Sequence, residues 1–169
     1  MLTPVSSKSL SSTGGSFAII ASRYNARYVD AMVRAARTEL KRAGSKNIRI
    51  IRVPGAYEVP IVAARLAHEA HDQANTHRAS RSKQHVSAII CLGVILRGQT
   101  AHAAHIGDAV SGALMDIQLR YEVPVIHEVL LLENEDQARA RCLDRKHNRG
   151  AEAAQTAVSM ARVMRSLSP

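Results

Sequence analysis

The sequence contains no tryptophan, one phenylalanine and four tyrosines among its 169 residues. Because 46% of the residues are hydrophobic and so few are aromatic, the core must be built from Ala, Val, Ile and Leu. Small aliphatic side chains of this kind suit helices packed on a sheet. The shortage of aromatic rings also removes the stacking platform that binders of single-stranded nucleic acid use.

Cysteine and long apolar runs are scarce as well. The two cysteines, Cys91 and Cys142, form neither a metal-binding pair nor a disulfide framework, which favours a reducing cytoplasm. No apolar run reaches the length of about 18 residues that a membrane helix needs, so we predict no membrane partner. The Ser-rich residues 1–15 lack the apolar core of a signal peptide and are interpreted as a flexible N-terminal tail. Residues 16–169 have the size of a single domain.

Acidic residues are in the minority, since 23 Lys and Arg stand against 14 Asp and Glu and give a net charge of +9. Such an excess is compatible with nucleic acid, an acidic surface or a phosphorylated small substrate. Much of it is spread over helix faces, as at Arg34, Arg37 and Lys41, and no nucleic-acid motif accompanies it. We therefore favour a solvated basic surface and predict no nucleic-acid partner.

Short apolar runs alternate along the chain with segments of helical periodicity. The runs are continuous, which is typical of strands in a sheet covered on both faces. The first helical segment begins at Asn25, an expected N-cap, and ends at Gly44. This alternation predicts a three-layer, doubly wound α/β sandwich with a mainly parallel, flavodoxin-like sheet.

The expected elements can be placed along the whole chain. The predicted strands are Phe17 to Ala21, Ile48 to Val53, Val86 to Leu92 and Val123 to Leu132. The remaining helices are predicted from Pro60 to about His71, from the turn at Arg97 to Thr100 through Ile117, from Glu135 to Leu143, and from Gly150 to about Leu167. The polar segment from His68 to His85 predicts a solvated insertion.

The turn from Arg97 to His102 follows a buried strand and begins a helix. In open α/β sheets ligands bind beyond the carboxyl ends of the strands. Free N–H groups at the helix start favour phosphate, and Gly98 allows close approach of the backbone. The imidazole of His102 can move protons near neutral pH. Taken alone, the turn is more typical of an ordinary strand-to-helix connection than of a phosphate site. His102 with His105 lacks a third ligand, so no metal is predicted.

Two further segments combine turn residues with charge. Residues 53–60, Val-Pro-Gly-Ala-Tyr-Glu-Val-Pro, place an aromatic ring and the carboxylate of Glu58 between two prolines. Residues 141–150 concentrate cations before a glycine, and an arginine there could clamp phosphate with two hydrogen bonds. Each segment alone also has a plain structural interpretation, as a capped loop or as a solvated charge run.

In combination these motifs resemble the lumazine synthase family. The resemblance runs in order from about Phe17 to Leu167 and includes Ser22-Arg23-Tyr24-Asn25, residues 53–60, Gly93-Val-Ile-Leu-Arg-Gly-Gln-Thr-Ala-His102, Val123-Pro-Val-Ile126 and Asn148-Arg149-Gly150. It implies a transferase of riboflavin biosynthesis. Such an enzyme condenses 5-amino-6-(D-ribitylamino)uracil with 3,4-dihydroxy-2-butanone 4-phosphate to give 6,7-dimethyl-8-ribityllumazine, phosphate and water, with no metal or redox cofactor.

The resemblance also implies a role for each matching residue. His102 would move protons as the catalytic residue, and the phosphate would be held by Gly98, Gln99, Thr100 and Arg141. The pyrimidine and its ribityl chain would be held by Tyr24, Asn25, Ala56, Tyr57, Glu58, Val94, Ile95, Leu96, His127 and Arg149. The sequence departs from the family at His127, where members usually have Phe, and at Ala103-Ala104-His105, which replaces acidic and aromatic residues.

Members of the family place the site between subunits of a homo-oligomer. The resemblance implies a pentamer, which in some members extends to a decamer or an icosahedral 60-mer, and riboflavin synthase as a further partner. In this arrangement Tyr24, Asn25, Glu58 and His102 would face His127, Arg141 and Arg149 of a neighbour. The alternative is a non-catalytic flavin-binding or shell-forming homologue that keeps the fold.

Overall fold

Four apolar runs form parallel strands in the computed structural model, which describes residues 15–45, 47–75 and 85–167. The elements in these ranges are β1 (Ser16–Ser22), α1 (Ala26–Arg42), β2 (Asn47–Val53), α2 (Val59–Asn75), β3 (Val86–Leu96), α3 (His102–Tyr121), β4 (Val125–Leu132), α4 (Glu135–Ala138) and α5 (Arg149–Leu167). A 3-10 turn, Ala56–Glu58, leads into α2, and a π-helical turn, Arg139–Leu143, continues α4. The predicted tail lies outside the described residues apart from Gly15.

The sheet has the strand order β2-β1-β3-β4, and every pairing is parallel. Successive residues of β1 enter different cores, because the side chains of a strand alternate between its two faces. Phe17 and Ile19 pack with α1 and α5, whereas Ala18 and Ile20 pack with α2 and α3. The sheet is therefore covered on both faces, and the predicted three-layer, flavodoxin-like sandwich is confirmed.

The second helix is longer than the sequence pattern indicates. It was expected to end near His71, but α2 continues to Asn75. Ala67 and Ala70 of this helix are buried in the core. Nδ1 of His68 lies 3.1 Å from Oδ2 of Asp72, one turn later. The first part of the predicted insertion is therefore helical, and that prediction is wrong. Residues 76–84 lie outside the described residues.

Strand β3 also exceeds its predicted end at Leu92 and continues to Leu96. The extension is held by the neighbouring strand, since residues 93–96 of β3 pair in register with residues 129–132 of β4. This pairing carries the backbone of Val94 to the carboxyl edge of the sheet. Strand β4 itself begins at Val125, two residues later than predicted, because Pro124 carries no N–H for the ladder.

Asn25 occupies the predicted N-cap of α1, but its side chain does not cap the helix. Its backbone is left-handed, with φ 55°, a conformation that asparagine tolerates better than most residues. The amide Nδ2 instead donates to the carbonyl oxygen of Val94 at 2.8 Å. Asn25 therefore joins the end of β1 to the end of β3.

The start of α5 packs against the backbone of α1. A Cβ atom added at Gly150 would lie 2.1 Å from the carbonyl oxygen of Met32, so only glycine fits. The preceding Asn148 is buried, donates to the carbonyl of Cys142 and accepts from the Gly150 N–H at 2.9 Å. These contacts fix the position of Arg149 relative to the sheet.

Both cysteines are buried and unpaired, Cys91 in the core under α2 and α3 and Cys142 in the core under α1 and α5. Throughout the described ranges, no helix has both the length and the apolar character that a bilayer span demands.

Candidate active site

A cleft of about 790 Å³ opens at the carboxyl edge of the sheet, beside the ends of β1 and β3. Within the sheet, β1 has β2 as its neighbour on one side and β3 on the other. The chain first passes from β1 to β2 and then returns to β3, so the strand order reverses between β1 and β3. Ligands of doubly wound folds bind at such a point. Nine predicted site residues line the cleft, namely Tyr24, Asn25, Ala56, Tyr57, Glu58, Val94, Ile95, Leu96 and His102.

Two loops form one wall of the cleft and are tied together through their backbones. The Arg23 N–H donates to the carbonyl of Val53 at 2.9 Å, and the Tyr24 N–H donates to that of Pro54 at 3.3 Å. The side chains of Tyr24 and Tyr57 are 73% and 64% exposed. Two aromatic rings therefore stand at the mouth of the cleft on a fixed backbone.

Glu58 has a structural contact as well as a place in the cleft. Its Oε2 accepts from the Gly55 N–H at 2.8 Å, which matches the helix-capping interpretation of this segment. A Cβ at Gly55 would lie 2.8 Å from the same oxygen, so glycine makes room for the carboxylate. The other oxygen, Oε1, has no hydrogen-bond partner within the described ranges. One half of the carboxylate is thus fixed, and the other half is available to a ligand.

The imidazole of His102 stands at the first residue of α3, with His105 one turn later on the same cleft wall. The sequence pattern presented His105 as a possible metal ligand and as part of a departure from the family, and did not identify it as a cleft residue, although the three-residue spacing places both histidines on one helix face. Among residues 15–45, 47–75 and 85–167, no three His, Cys, Asp or Glu side chains are placed to hold a metal ion.

The turn that leads into α3 is exposed and does not line the cleft itself. Gly98, Gln99 and Thr100 lie at the surface, and a Cβ at Gly98 would meet no atom within 4 Å. Ala101 provides no side-chain cap, and the first turn of α3 has no acidic residue. Within the described residues, no side chain therefore caps the N–H groups at the start of this 20-residue helix.

Arg97 is directed away from these groups. Its Nη1 donates to both carboxylate oxygens of Glu133, at 3.0 and 3.2 Å, and its backbone N–H donates to the carbonyl of Leu132. Arg97 therefore anchors the turn to the end of β4.

The remaining predicted residues, His127, Arg141 and Arg149, do not line the cleft. With Glu128 they form a second set around β4, the π-helical turn and the start of α5, which we call the β4 group. His127 and Glu128 are consecutive in β4 and therefore face opposite sides of the sheet. One chain thus separates the predicted site into two parts.

His127 is held in one tautomer by its neighbours. Its Nδ1 accepts from the Val129 N–H at 3.2 Å, so the ring proton of the neutral form lies on Nε2, 2.8 Å from the Ser111 hydroxyl oxygen. That hydroxyl donates in turn to the carbonyl of Gly107 at 2.7 Å. Burial lowers the pKa of His127, which favours a neutral ring.

Arg149 is bound by two carboxylates. Its Nε and Nη2 donate to the two oxygens of Glu128 at 3.0 and 2.7 Å, and its Nη1 donates to Glu152 at 2.5 Å. Glu128 is only 6% exposed, and this burial raises its pKa despite the attraction of Arg149. Burial alone would lower the pKa of Arg149, but Glu128 and Glu152 together raise it.

The fold and the cleft define a doubly wound α/β protein with a candidate ligand site at the switch point of its sheet. A family model described as 6,7-dimethyl-8-ribityllumazine synthase matches residues 14–165. The chain belongs to this family, whose members are transferases of riboflavin biosynthesis.

Curated relatives with that same name match over most of their length. The protein of Stenotrophomonas maltophilia (strain R551-3) is 42% identical over 153 residues, which cover 89% of this chain and 90% of the relative. That of Xanthomonas euvesicatoria pv. vesicatoria (strain 85-10) is 41% identical over 154 residues, covering 90% and 91%. That of Xanthomonas campestris pv. campestris (strain B100) is 39% identical over 154 residues, with the same coverage.

Proposed function

We propose that the chain condenses 5-amino-6-(D-ribitylamino)uracil with 3,4-dihydroxy-2-butanone 4-phosphate to give 6,7-dimethyl-8-ribityllumazine, phosphate and water. The observation that carries the proposal is the cleft, which brings nine predicted residues from four separate segments together at the switch point. His102 lies in this cleft beside the uncapped start of α3. A proton-transferring group and an anion site are thus adjacent, as the loss of phosphate from a bound reactant requires.

The phosphorylated reactant is assigned to the start of α3. Gly98, Gln99 and Thr100 would supply backbone and hydroxyl donors, and the positive end of the helix favours the anion. The packing of the chain gives no reason for a glycine at position 98, since a side chain there would meet nothing and its φ is not left-handed. A requirement for close approach of a ligand would explain it.

The pyrimidine and its ribityl chain are assigned to the rest of the cleft. The exposed rings of Tyr24 and Tyr57 offer stacking surface for the heterocycle, and residues 94–96 at the end of β3 line its edge. The unpaired Oε1 of Glu58 would accept a hydrogen bond from a ribityl hydroxyl. His102 would then move protons in imine formation, phosphate loss and ring closure.

The β4 group would complete the cleft of a neighbouring subunit, because His127, Arg141 and Arg149 do not line the cleft of their own chain. Exposed apolar side chains on α2 and α3 support self-association: Ile61 is 72%, Met115 54% and Leu119 69% exposed. Ile61 lines a largely apolar groove of about 420 Å³ between the two helices. We propose a homopentamer in the cytoplasm, with riboflavin synthase as the consumer of its product.

The test mixes the purified protein with both reactants and follows lumazine absorbance together with phosphate release. We expect product above the uncatalysed background and one phosphate per lumazine. Ligand binding without turnover would instead identify the non-catalytic flavin-binding homologue and reject the synthase. Sedimentation of the same sample distinguishes a pentamer from a decamer or a 60-mer.

A further inference from the structure

The carboxylate of Glu128 has no part in the proposed reaction, yet it is the most deeply buried acid among the described residues. A buried charge of this kind is costly unless a partner compensates it. Its partner is Arg149, which donates two parallel N–H···O hydrogen bonds to it. The side chain of Arg149 is 27% exposed and that of Glu128 is 8% exposed. The pair is therefore rigid and largely shielded from water.

The two arginines of the β4 group differ in their electrostatic surroundings. Arg149 is one cation held by two carboxylates, Glu128 and Glu152. Arg141 is exposed and forms no ion pair with any residue in the described ranges, and its attraction to the charge of Glu128 is weaker than that of Arg149. An uncompensated guanidinium attracts phosphate, whereas one that already faces two carboxylates offers hydrogen bonds without net positive charge.

The geometry of Arg149 leaves a defined set of free donors. A guanidinium carries five N–H groups, and three of the five are taken by the carboxylates. One N–H on each terminal nitrogen remains. Such donors suit the carbonyl oxygens of a neutral ring, and a phosphate approaching them would meet the negative charge of Glu128 and Glu152.

We propose that Glu128 is a specificity-determining, positioning residue: it compensates the charge of Arg149 and fixes its guanidinium, so that Arg149 binds the neutral pyrimidine and rejects phosphate. The assignment rests on the proposed function, in which Arg149 faces the pyrimidine in a neighbouring cleft. The division of work follows from charge, with Arg141 free for the phosphorylated reactant and Arg149 reserved for the other.

The central test is Glu128→Gln, which keeps the volume of the side chain and removes its charge. We expect the KM of the pyrimidine to rise about tenfold, because a hydrogen bond to a charged partner is lost. The KM of the phosphorylated reactant should stay within about twofold. Inorganic phosphate should also become a competitor of the pyrimidine, which it is not in the parent protein. The separate variant Glu128→Asp, which keeps the charge, should still exclude phosphate as the parent protein does.

Two other variants serve as controls. Arg141→Ala should show the opposite split, with a higher KM for the phosphorylated reactant and an unchanged KM for the pyrimidine. Glu69→Gln removes one carboxylate of a surface ion pair with Arg65 and should change neither constant. Equal rises in both KM values for Glu128→Gln would mean that Glu128 has only a structural role, and the proposal would be wrong.

A pH profile gives an independent readout. Burial raises the pKa of Glu128, and the charged or titratable groups near it are Arg149, Glu152, Arg141 and Cys142. As the pH falls through this raised pKa, Glu128 gains a proton and no longer compensates Arg149. As the pH is lowered, the KM of the pyrimidine in the parent protein should therefore begin to rise at a higher pH than it would if Glu128 had the pKa of an exposed glutamate. This rise should be absent in Glu128→Gln.

The outcome can be separated from that of the proposed function. Titration of folded protein with inorganic phosphate alone requires no turnover, and circular dichroism confirms that each variant is folded. If the parent protein makes no lumazine but Glu128→Gln binds an additional phosphate, the synthase proposal fails and the charge assignment stands. If phosphate binding is the same in both proteins, the assignment fails whatever the activity.

Discussion

The cleft and the β4 group differ in how their polar side chains are engaged. In the cleft, the side chains of Tyr24, Tyr57 and His102 are exposed and have no hydrogen-bond partners within the described residues. In the β4 group, His127 and Arg149 are held by hydrogen bonds to Ser111, Glu128 and Glu152. The cleft is therefore the adaptable part of the site, and most of the β4 group is oriented before any ligand arrives.

The largest effect is expected where the β4 group is joined to the rest of the fold. Gly150→Ala would force a methyl group into the backbone of α1 at Met32, so α5 must move away from α1. Relief of such a clash costs about 3 kcal/mol or more, and thermal melting should fall by roughly 6 to 12 °C.

The matched control is Gly112→Ala, also in a helix. A Cβ at Gly112 meets no atom within 4 Å, and alanine is the better helix former by about 0.5–1 kcal/mol. Its melting temperature should equal or exceed that of the parent. If the two variants melt alike, the close packing of α5 on α1 is wrong, and with it the rigid placement of Arg149.

The next effect concerns chemistry in the cleft. His102→Ala should lower kcat by roughly ten- to a thousandfold, within or below the range of about a hundred- to ten-thousandfold that a general acid or base contributes. His105→Ala removes an imidazole from the same wall one turn away and should cost much less. Steady-state rates with both reactants at saturation measure the two changes. An unaltered kcat in His102→Ala would show that another group moves the proton.

The smallest effect tests the link between β1 and β3. Asn25→Ala removes the hydrogen bond to Val94 and places an alanine at φ 55°, which together should destabilise the fold by about 2 kcal/mol. Asn25→Gly loses the same bond without the backbone strain and should fall between the parent and Asn25→Ala. Urea denaturation of the three proteins gives the order. Equal stabilities of the alanine and glycine variants would contradict the strained backbone.

The sequence predicted the fold well because its main signal is local. Continuous apolar runs such as residues 17–21 can be buried on both faces only in a covered sheet, and the four predicted strands are confirmed. The error at His68–Asn75 has a physical reason as well. The segment is rich in polar residues, so the helical spacing of Ala67 and Ala70, which form the buried face of α2, was not recognised.

The candidate site was predictable only in part. Residues that follow strands could be placed at the carboxyl edge, and nine of them line the cleft. The assignment of the other residues to a neighbouring chain rests on the resemblance, since a single chain shows only that they lie elsewhere. Glu128 lies 21 residues before Arg149 and outside every motif, so the ion pair depends on how α5 packs on β4 and could not be inferred from spacing.

The ion pair between Glu128 and Arg149 also limits how the sequence can diverge. Loss of Arg149 alone would leave a buried carboxylate without its cation, and loss of Glu128 alone would leave a guanidinium with altered selectivity. A lysine at position 149 could not make the same bidentate contact with Glu128. Substitutions at these two positions are therefore expected to arise together, and a chain that replaces one residue will be under selection to replace the other.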